Sequence, residues 1–488
     1  MKVLILSAKT GGGHLRCAQA MEKVIKDLDP FGEVRVVDGL EYVNHYFNKM
    51  VVNGYKFSAM KLSKVYGMLY RMSNKDNNVY KMLQKTNAFF AKKLIPLIAE
   101  FKPDVIVTTH PFTAIMCSRL IEKGFTNIPV ISIATDFALH ATYINNDITA
   151  YVVSSPQMVD NMESLGVDRN IVYPLGIPID PVFFETDEHK AEHLSEMGFD
   201  PQKKTVLIMA GSFGVTDILK IYESINEIQL DFQIIVITGK NMKLFDAFNS
   251  ILSFNENMRV GRKEINFYMD KEPTRKEEKF NVTKKTKLIY FTEEVHKYMQ
   301  ISDLIITKPG GLTVTESLAC CLPMALFRGI PGQETDNTEY LCDNNLAISI
   351  KKNNASDVIY RLLKYPERLL SMRESCKRLN NKDSAYNVYD LIKTTVEKTK
   401  GNVFIKSPEE YLPETEIVDD EQFYTDLSAV LKNYQLEDVN IDFSDNNENE
   451  YEFEVKLEEL INKMKTNFKR IAGGDFLMRK DTVKKQDD

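Results

Sequence analysis

Short, continuously apolar runs rich in β-branched residues punctuate the first 180 residues: VLIL (3–6), VRVV (34–37), DVIVTT (104–109), PVISIA (129–134) and AYVVSS (150–155). Helix-length segments lie between most of them. Strands that are apolar on both faces and joined by helices form parallel sheets covered on both sides. The pattern restarts at KTVLIMAGSFG (204–214) and continues through FQIIVITGKN (232–241), KLIYF (287–291), DLIITKPGG (303–311) and PMALF (323–327).

The chain therefore reads as α/β, with two doubly wound, Rossmann-like units over 1–182 and 183–385 and a closing helix over 386–400. The link YPLGIPIDPVFFE (173–185) holds three prolines, which stiffen a connection, and the hinge falls near Pro178 to Phe184. Residues 255–287 are polar, charged in both signs and aperiodic, which predicts an insertion between a helix and a strand. From 401 to 488 the chain is acidic and Asn-rich, a partly disordered extension. Helical spacing returns only in 452–471, at Val455, Leu457, Leu460, Ile461, Met464 and Phe468.

At 488 residues, 43% hydrophobic and 27% charged, the chain exceeds one core and is no small binding module. Six scattered cysteines without paired spacing fit reduced thiols in a cytosolic setting. The apolar run at the N-terminus ends within six residues and reads as a strand rather than a leader. Nowhere do about 20 apolar residues run together, so membrane contact is expected to be peripheral, on the inner face of the cell membrane.

Charge changes the picture further. The net charge of -7 hides an acidic tail, with 11 Lys/Arg against 22 Asp/Glu from residue 401 onward. Residues 42–95 carry ten Lys/Arg and one acid, Asp76, interleaved with aromatics such as Tyr55, Phe57 and Tyr66. Such a mixture suits an anionic lipid surface, with Lys56, Lys61, Lys64 and Arg71 as candidate contacts. A solvated helix face is the alternative. No nucleic-acid module accompanies it.

Candidate chemistry lies at strand ends. KTGGGH (9–14) follows the first strand and opens a helix. Its glycines, Gly12 and Gly13 among them, allow close backbone approach, and His14 brings a group poised near neutrality. A tight structural turn is the plain alternative. TDFALH (135–140) places Asp136 and His140 beyond another strand's carboxyl end, and His110 of the HP pair at 110–111 points the same way, so three histidines gather on one rim. An Asp helix cap with an incidental His is the competing account.

In the second unit, TKPGGLTVTES (307–317) is built for a diphosphate. Gly310 and Gly311 open the backbone, Thr313 can cap, and Glu316 lies a turn inside, placed to bridge ribose hydroxyls. PGQETDN (331–337) puts Gln333, Glu334 and Asn337 at a helix start, suited to a polyhydroxylated sugar. The one DxD triplet, Asp27-Leu28-Asp29, ends a helix rather than a strand, so no metal is expected.

Residues 1 to about 400 resemble the processive diacylglycerol glucosyltransferases and monogalactosyldiacylglycerol synthases, relatives of the peptidoglycan lipid-intermediate N-acetylglucosaminyltransferase. SAKTGGGH, TDFALH, GIPI, MAGSFG, TGKN, TKPGGLTVTES and IPGQETDN carry the resemblance, in that order. It implies a GT-B fold with UDP-sugar on the second unit and the lipid acceptor on the first. The implied reaction is inverting transfer of a hexose from UDP-glucose or UDP-galactose to diacylglycerol, without a cofactor. A UDP-sugar epimerase and a non-catalytic nucleotide-sugar sensor are the alternatives.

The resemblance makes His14 the base, with Asp136 beside it, and His110 and His140 on the acceptor side. Glu316 would hold ribose, Gln333, Glu334 and Asn337 the donor sugar, and Gly310, Gly311, Gly211 and Ser212 the diphosphate. Phe291 and Thr292 match the uracil-lining position. Tyr143 stands where many members carry tryptophan, and Tyr290 where glycine is usual.

Overall fold

A computed structural model describes residues 1–9, 12–43, 90–209, 215–259, 282–327, 329 and 333–407. Two six-stranded parallel sheets organise it. The first runs β2-β1-β3-β4-β5-β6 and comprises β1 (Lys2–Ser7), β2 (Glu33–Asp38), β3 (Val105–Thr108), β4 (Val130–Ile133), β5 (Ala150–Val152) and β6 (Val172–Tyr173). The second runs β12-β11-β10-β7-β8-β9, built from β7 (Lys204–Met209), β8 (Phe232–Ile237), β9 (Lys285–Ile289), β10 (Leu304–Thr307), β11 (Met324–Phe327) and β12 (Ala347–Ile350). The architecture is GT-B, two Rossmann-like lobes facing across a cleft.

The cause is visible strand by strand. Val105 to Thr108, Val130 to Ile133 and Leu304 to Thr307 are buried at every position, as strands sandwiched between helices must be. In the first sheet the chain steps from β1 to β2 on one side and returns to β3 on the other, so the carboxyl ends of β1 and β3 lie side by side. The register Leu6 to Thr108 fixes that neighbourhood. The second sheet reverses between β7 and β10, paired Met209 to Thr307. Loops diverge at such reversals and leave a crevice for ligands.

Five helices position the site. α1 (Gly13–Leu28) follows β1, and α2 (Pro111–Glu122) follows β3. α3 (Gly311–Ala319) follows β10, and α4 (Gln333–Asp343) follows β11. α5 (Ser384–Thr399) packs back against α1. One apolar core runs through both lobes, joining Ile5, Cys17 and Met21 to Leu312, Val314, Val388 and Ile392. Beyond α5 the chain stays on the first lobe: Thr126 and Ile405 form an antiparallel bridge, and Asn127 exchanges hydrogen bonds with Asn402 and Phe404.

The helix Met242–Arg259 and strand β9 occupy the two ends of the segment read as an insertion. Its middle, the basic segment with Lys56, Lys61, Lys64 and Arg71, and the helix read at 452–471 lie outside the described residues. All six cysteines are free thiols. Among the described residues no helix is long and apolar enough to cross a membrane.

Candidate active site

His14 stands in the first turn of α1, and the end of β3 brackets it. Its Nδ1 lies 2.6 Å from the Thr109 carbonyl oxygen, and the Thr109 hydroxyl is 3.0 Å from the His14 carbonyl. A carbonyl only accepts, so Nδ1 carries the proton and Nε2 holds the lone pair. Thr135, just beyond β4, brings its Oγ1 to 2.9 Å from the same Nδ1. Desolvation lowers the pKa of His14 to about 4, with the Thr109 bond opposing. His110 meets the ring edge-on, centroids 4.6 Å apart at 71°. Its own Nδ1 accepts from the Phe112 N–H at 3.2 Å as the cap of α2, and desolvation, then the neighbouring His14, hold its pKa well below the usual value.

Across the cleft, Gly310 begins α3 with no side chain capping it. The N–H groups of that first turn are suited to an anion. Glu316, one turn in, is 2% exposed, and desolvation raises its pKa against the pull of Arg16. Its Oε1 takes an ion pair from Arg16 of α1 at 2.7 Å, while Oε2 is buried without a hydrogen-bond partner. Lys308, just before Pro309, has its pKa lowered by desolvation, with Glu334 acting in the opposite sense.

Asp136 ties the lobes together. Gln333 Nε2 donates to its Oδ2 and Asn337 Nδ2 to its Oδ1, the latter at 3.2 Å. Asn337 also donates to Pro309 O and accepts from the Phe137 N–H, at 3.0 and 2.9 Å. Burial lifts Asp136 to about 6 despite these two donors. The approach is close enough that a Cβ on Gly311 would fall 1.9 Å from the Thr135 carbonyl oxygen.

Two family models match the chain. The monogalactosyldiacylglycerol (MGDG) synthase model covers residues 14–179, and the glycosyltransferase family 28 C-terminal domain covers 205–395. The two models match one lobe each. A processive diacylglycerol beta-glucosyltransferase of Bacillus pumilus is 28% identical over 393 residues, 80% of this chain and 94% of that one. One of the same description from Staphylococcus aureus strain Newman is 29% identical over 393 residues, 76% and 87% of the two chains. A Staphylococcus aureus structure titled as an MnaA–UDP co-structure has a TM-score of 0.51 at 12% identity, covering 81% of this chain and 97% of that one. That likeness concerns the fold alone.

The first lobe supplies His14, Thr109, Thr135 and Asp136, and the second Gly310, Gly311 and Glu316. Several expectations change in detail. Thr313 does not cap α3, because the helix starts earlier, at Gly311. Gln333 and Asn337 bond Asp136 in the other lobe. Glu334 sits beside Gly310, where an added Cβ would lie 4.0 Å from its Oε1. His140 serves its own 3-10 turn, its Nδ1 at 2.7 Å from Thr142 Oγ1 and 3.3 Å from the Thr142 N–H.

Tyr143 is buried in the core of the first lobe with its phenol against Thr135, not displayed on the cleft wall. Strand β9 ends at Ile289, which leaves Phe291 on the following loop, 44% exposed beneath Lys240 Nζ at 4.7 Å. Thr292 accepts the Glu294 N–H in that loop at 3.0 Å. Gly12 adopts the left-handed φ of 79° that the tight turn requires, and Gly13 packs on Leu312 of α3. Gly211 and Ser212 lie outside the described residues. Arg16, Thr109 and Thr135 were not singled out in the sequence. Thr135 and Arg16 lie inside or beside motifs that were, so strand-end position was the available signal.

Proposed function

We propose that this protein is an inverting glycosyltransferase that moves a hexose from UDP-glucose or UDP-galactose to diacylglycerol at a membrane surface. The observation that carries the reading is the meeting, across one cleft, of an imidazole with a fixed Nδ1 proton and the uncapped start of α3 with its buried Glu316. The names of the curated relatives support a lipid acceptor and a transferred hexose.

In this reading the acceptor hydroxyl gives its proton to Nε2 of His14 as its oxygen bonds the anomeric carbon. The bond from that carbon to UDP breaks, and UDP departs with the electron pair. General base catalysis of this kind contributes about 10²–10⁴-fold. The first turn of α3 meets the charge that develops on the diphosphate, electrostatics set before the reaction starts. The chemistry requires no metal, and Glu316 receives the ribose hydroxyls. The basic and aromatic segment 42–95 brings the protein to an anionic surface on the cytoplasmic face.

Incubation with each UDP-hexose and diacylglycerol liposomes tests this. UDP released only when lipid is present, together with glycosyl-diacylglycerol, is the expected result. Sugar isomerisation without lipid would replace the reading by an epimerase, and UDP-sugar binding with neither product by a sensor.

A further inference from the structure

Thr135 has contacts that the reaction as described does not use. Its hydroxyl oxygen lies 2.9 Å from His14 Nδ1, and that nitrogen already gives its proton toward the Thr109 carbonyl at 2.6 Å. A hydroxyl cannot donate to a nitrogen that carries hydrogen, so Oγ1 faces the imidazole as an acceptor. The Tyr143 phenol stands behind that hydroxyl, buried against Thr135. The one Nδ1–H is therefore shared between two acceptors, the Thr109 carbonyl at 2.6 Å and Thr135 Oγ1 at 2.9 Å. Thr135 and Tyr143 are both almost fully buried, at 3% and 4% exposed, which keeps water from substituting for the Thr135 hydroxyl.

The same residue touches the opposite lobe through its backbone. The Thr135 carbonyl oxygen is so near Gly311 Cα that an added Cβ would fall 1.9 Å from it, and the first contact of that Cβ outside Thr135 would be Asp136 Oδ1 at 3.1 Å. Gly311 is the first residue of α3. One residue therefore holds the imidazole by its side chain and abuts the helix that starts the donor-side lobe by its carbonyl.

We propose that Thr135 is a positioning residue: its buried hydroxyl, beside the Thr109 carbonyl, sets the plane of the His14 ring, and its carbonyl makes that setting depend on contact with the first turn of α3. The inference rests on the reading of His14 as the base. The titratable groups around the ring are His110 on its edge, Asp136 next to Thr135, Tyr143 behind it and Arg16 further along α1.

An acceptor on Nδ1–H favours the imidazolium, so its removal lowers the pKa of the base. Thr135→Val, which keeps the shape and removes the hydroxyl, should lower kcat about tenfold, leave the KM for UDP-sugar within about twofold and move the acid limb of the kcat profile to lower pH. Thr135→Ser should restore all three. Wild-type kcat and acid limb in Thr135→Val would overturn the proposal, as would Thr135→Ser failing to recover.

Nitrogen-15 spectra of the histidines in the full-length wild-type protein give a readout independent of turnover and of how any variant folds. His14 should be protonated at Nδ1 and bare at Nε2, and the opposite tautomer would also overturn the inference. Unchanged transfer in His14→Gln, with the expected tautomer in the spectra, would remove the base reading while leaving the geometry of the ring as described.

Discussion

His14 and Asp136 stand on one rim with shifts of opposite sense, and the pair makes the pH dependence of folding informative. Desolvation holds His14 at about 4, so the folded protein prefers a neutral ring. Burial raises Asp136 to about 6 against the Asn337 and Gln333 donors, so the folded protein prefers the protonated acid. Between about pH 4 and 6 the unfolded chain binds more protons than the native state at His14 and fewer at Asp136. Stability therefore rises with pH through the first group and falls through the second. Asp136→Asn deletes the falling part, and its stability should climb across this window more steeply than that of the wild type, by roughly 3 kcal/mol in all. Denaturant midpoints at the two ends of the window measure it, and parallel profiles would mean that the carboxyl is solvated. For His14→Gln, transfer should drop at least about a hundredfold while calorimetry finds UDP affinity unchanged, because the residue belongs to the acceptor lobe. Normal turnover in that variant would end its assignment as the base.

Among the elements, the strands were legible wherever both faces are covered. Ten of the twelve coincide with apolar runs read from the sequence, and the two that were not singled out are sheet edges. β6 is two residues long and half covered, and β12 is half-buried at Ile348 and exposed at Ser349 between its buried ends. Short or one-sided strands lack the continuous apolar signature. Helix starts were less legible: the threonine in TKPGGLT suggested a cap, whereas the helix begins at Gly311 because the other lobe leaves no room there for a side chain. Gly311→Ala should therefore act at the junction between lobes. Forcing a methyl into the Thr135 carbonyl should cost roughly 1–3 kcal/mol of stability and widen the molecule. Thermal unfolding and small-angle scattering test this, and a variant with wild-type melting temperature and radius would show that the junction opens freely. Gly12→Ala is the contrasting case, since nothing lies within 4 Å of its added Cβ and only the φ of 79° opposes it. Its cost should be about 1–2 kcal/mol with no change in radius.

For the whole molecule, the location of the site was legible and its cross-lobe pairing was not. Parallel topology carries the glycine loop, TDFALH and TKPGG to strand carboxyl ends, so position could be inferred from order alone. Nothing in the sequence says that Arg16 of α1 finds Glu316 of α3, since that contact exists only when the two lobes face each other. The pairing carries a consequence for ligand binding. Glu316 Oε1 is taken by Arg16 and Oε2 is buried without a hydrogen-bond partner, so a diol seeking both oxygens must displace the guanidinium. Arg16 is 42% exposed in its side chain, so losing it should cost the ligand-free protein roughly 1–3 kcal/mol, below the range for a fully buried pair. With ribose at Glu316, as proposed, UDP would restore partners to that stranded carboxylate. Arg16→Gln should thus melt earlier than wild type without ligand, gain more from saturating UDP, and bind UDP about fivefold tighter. Weaker binding by the variant would mean that Arg16 assists the nucleotide rather than competing with it for Glu316.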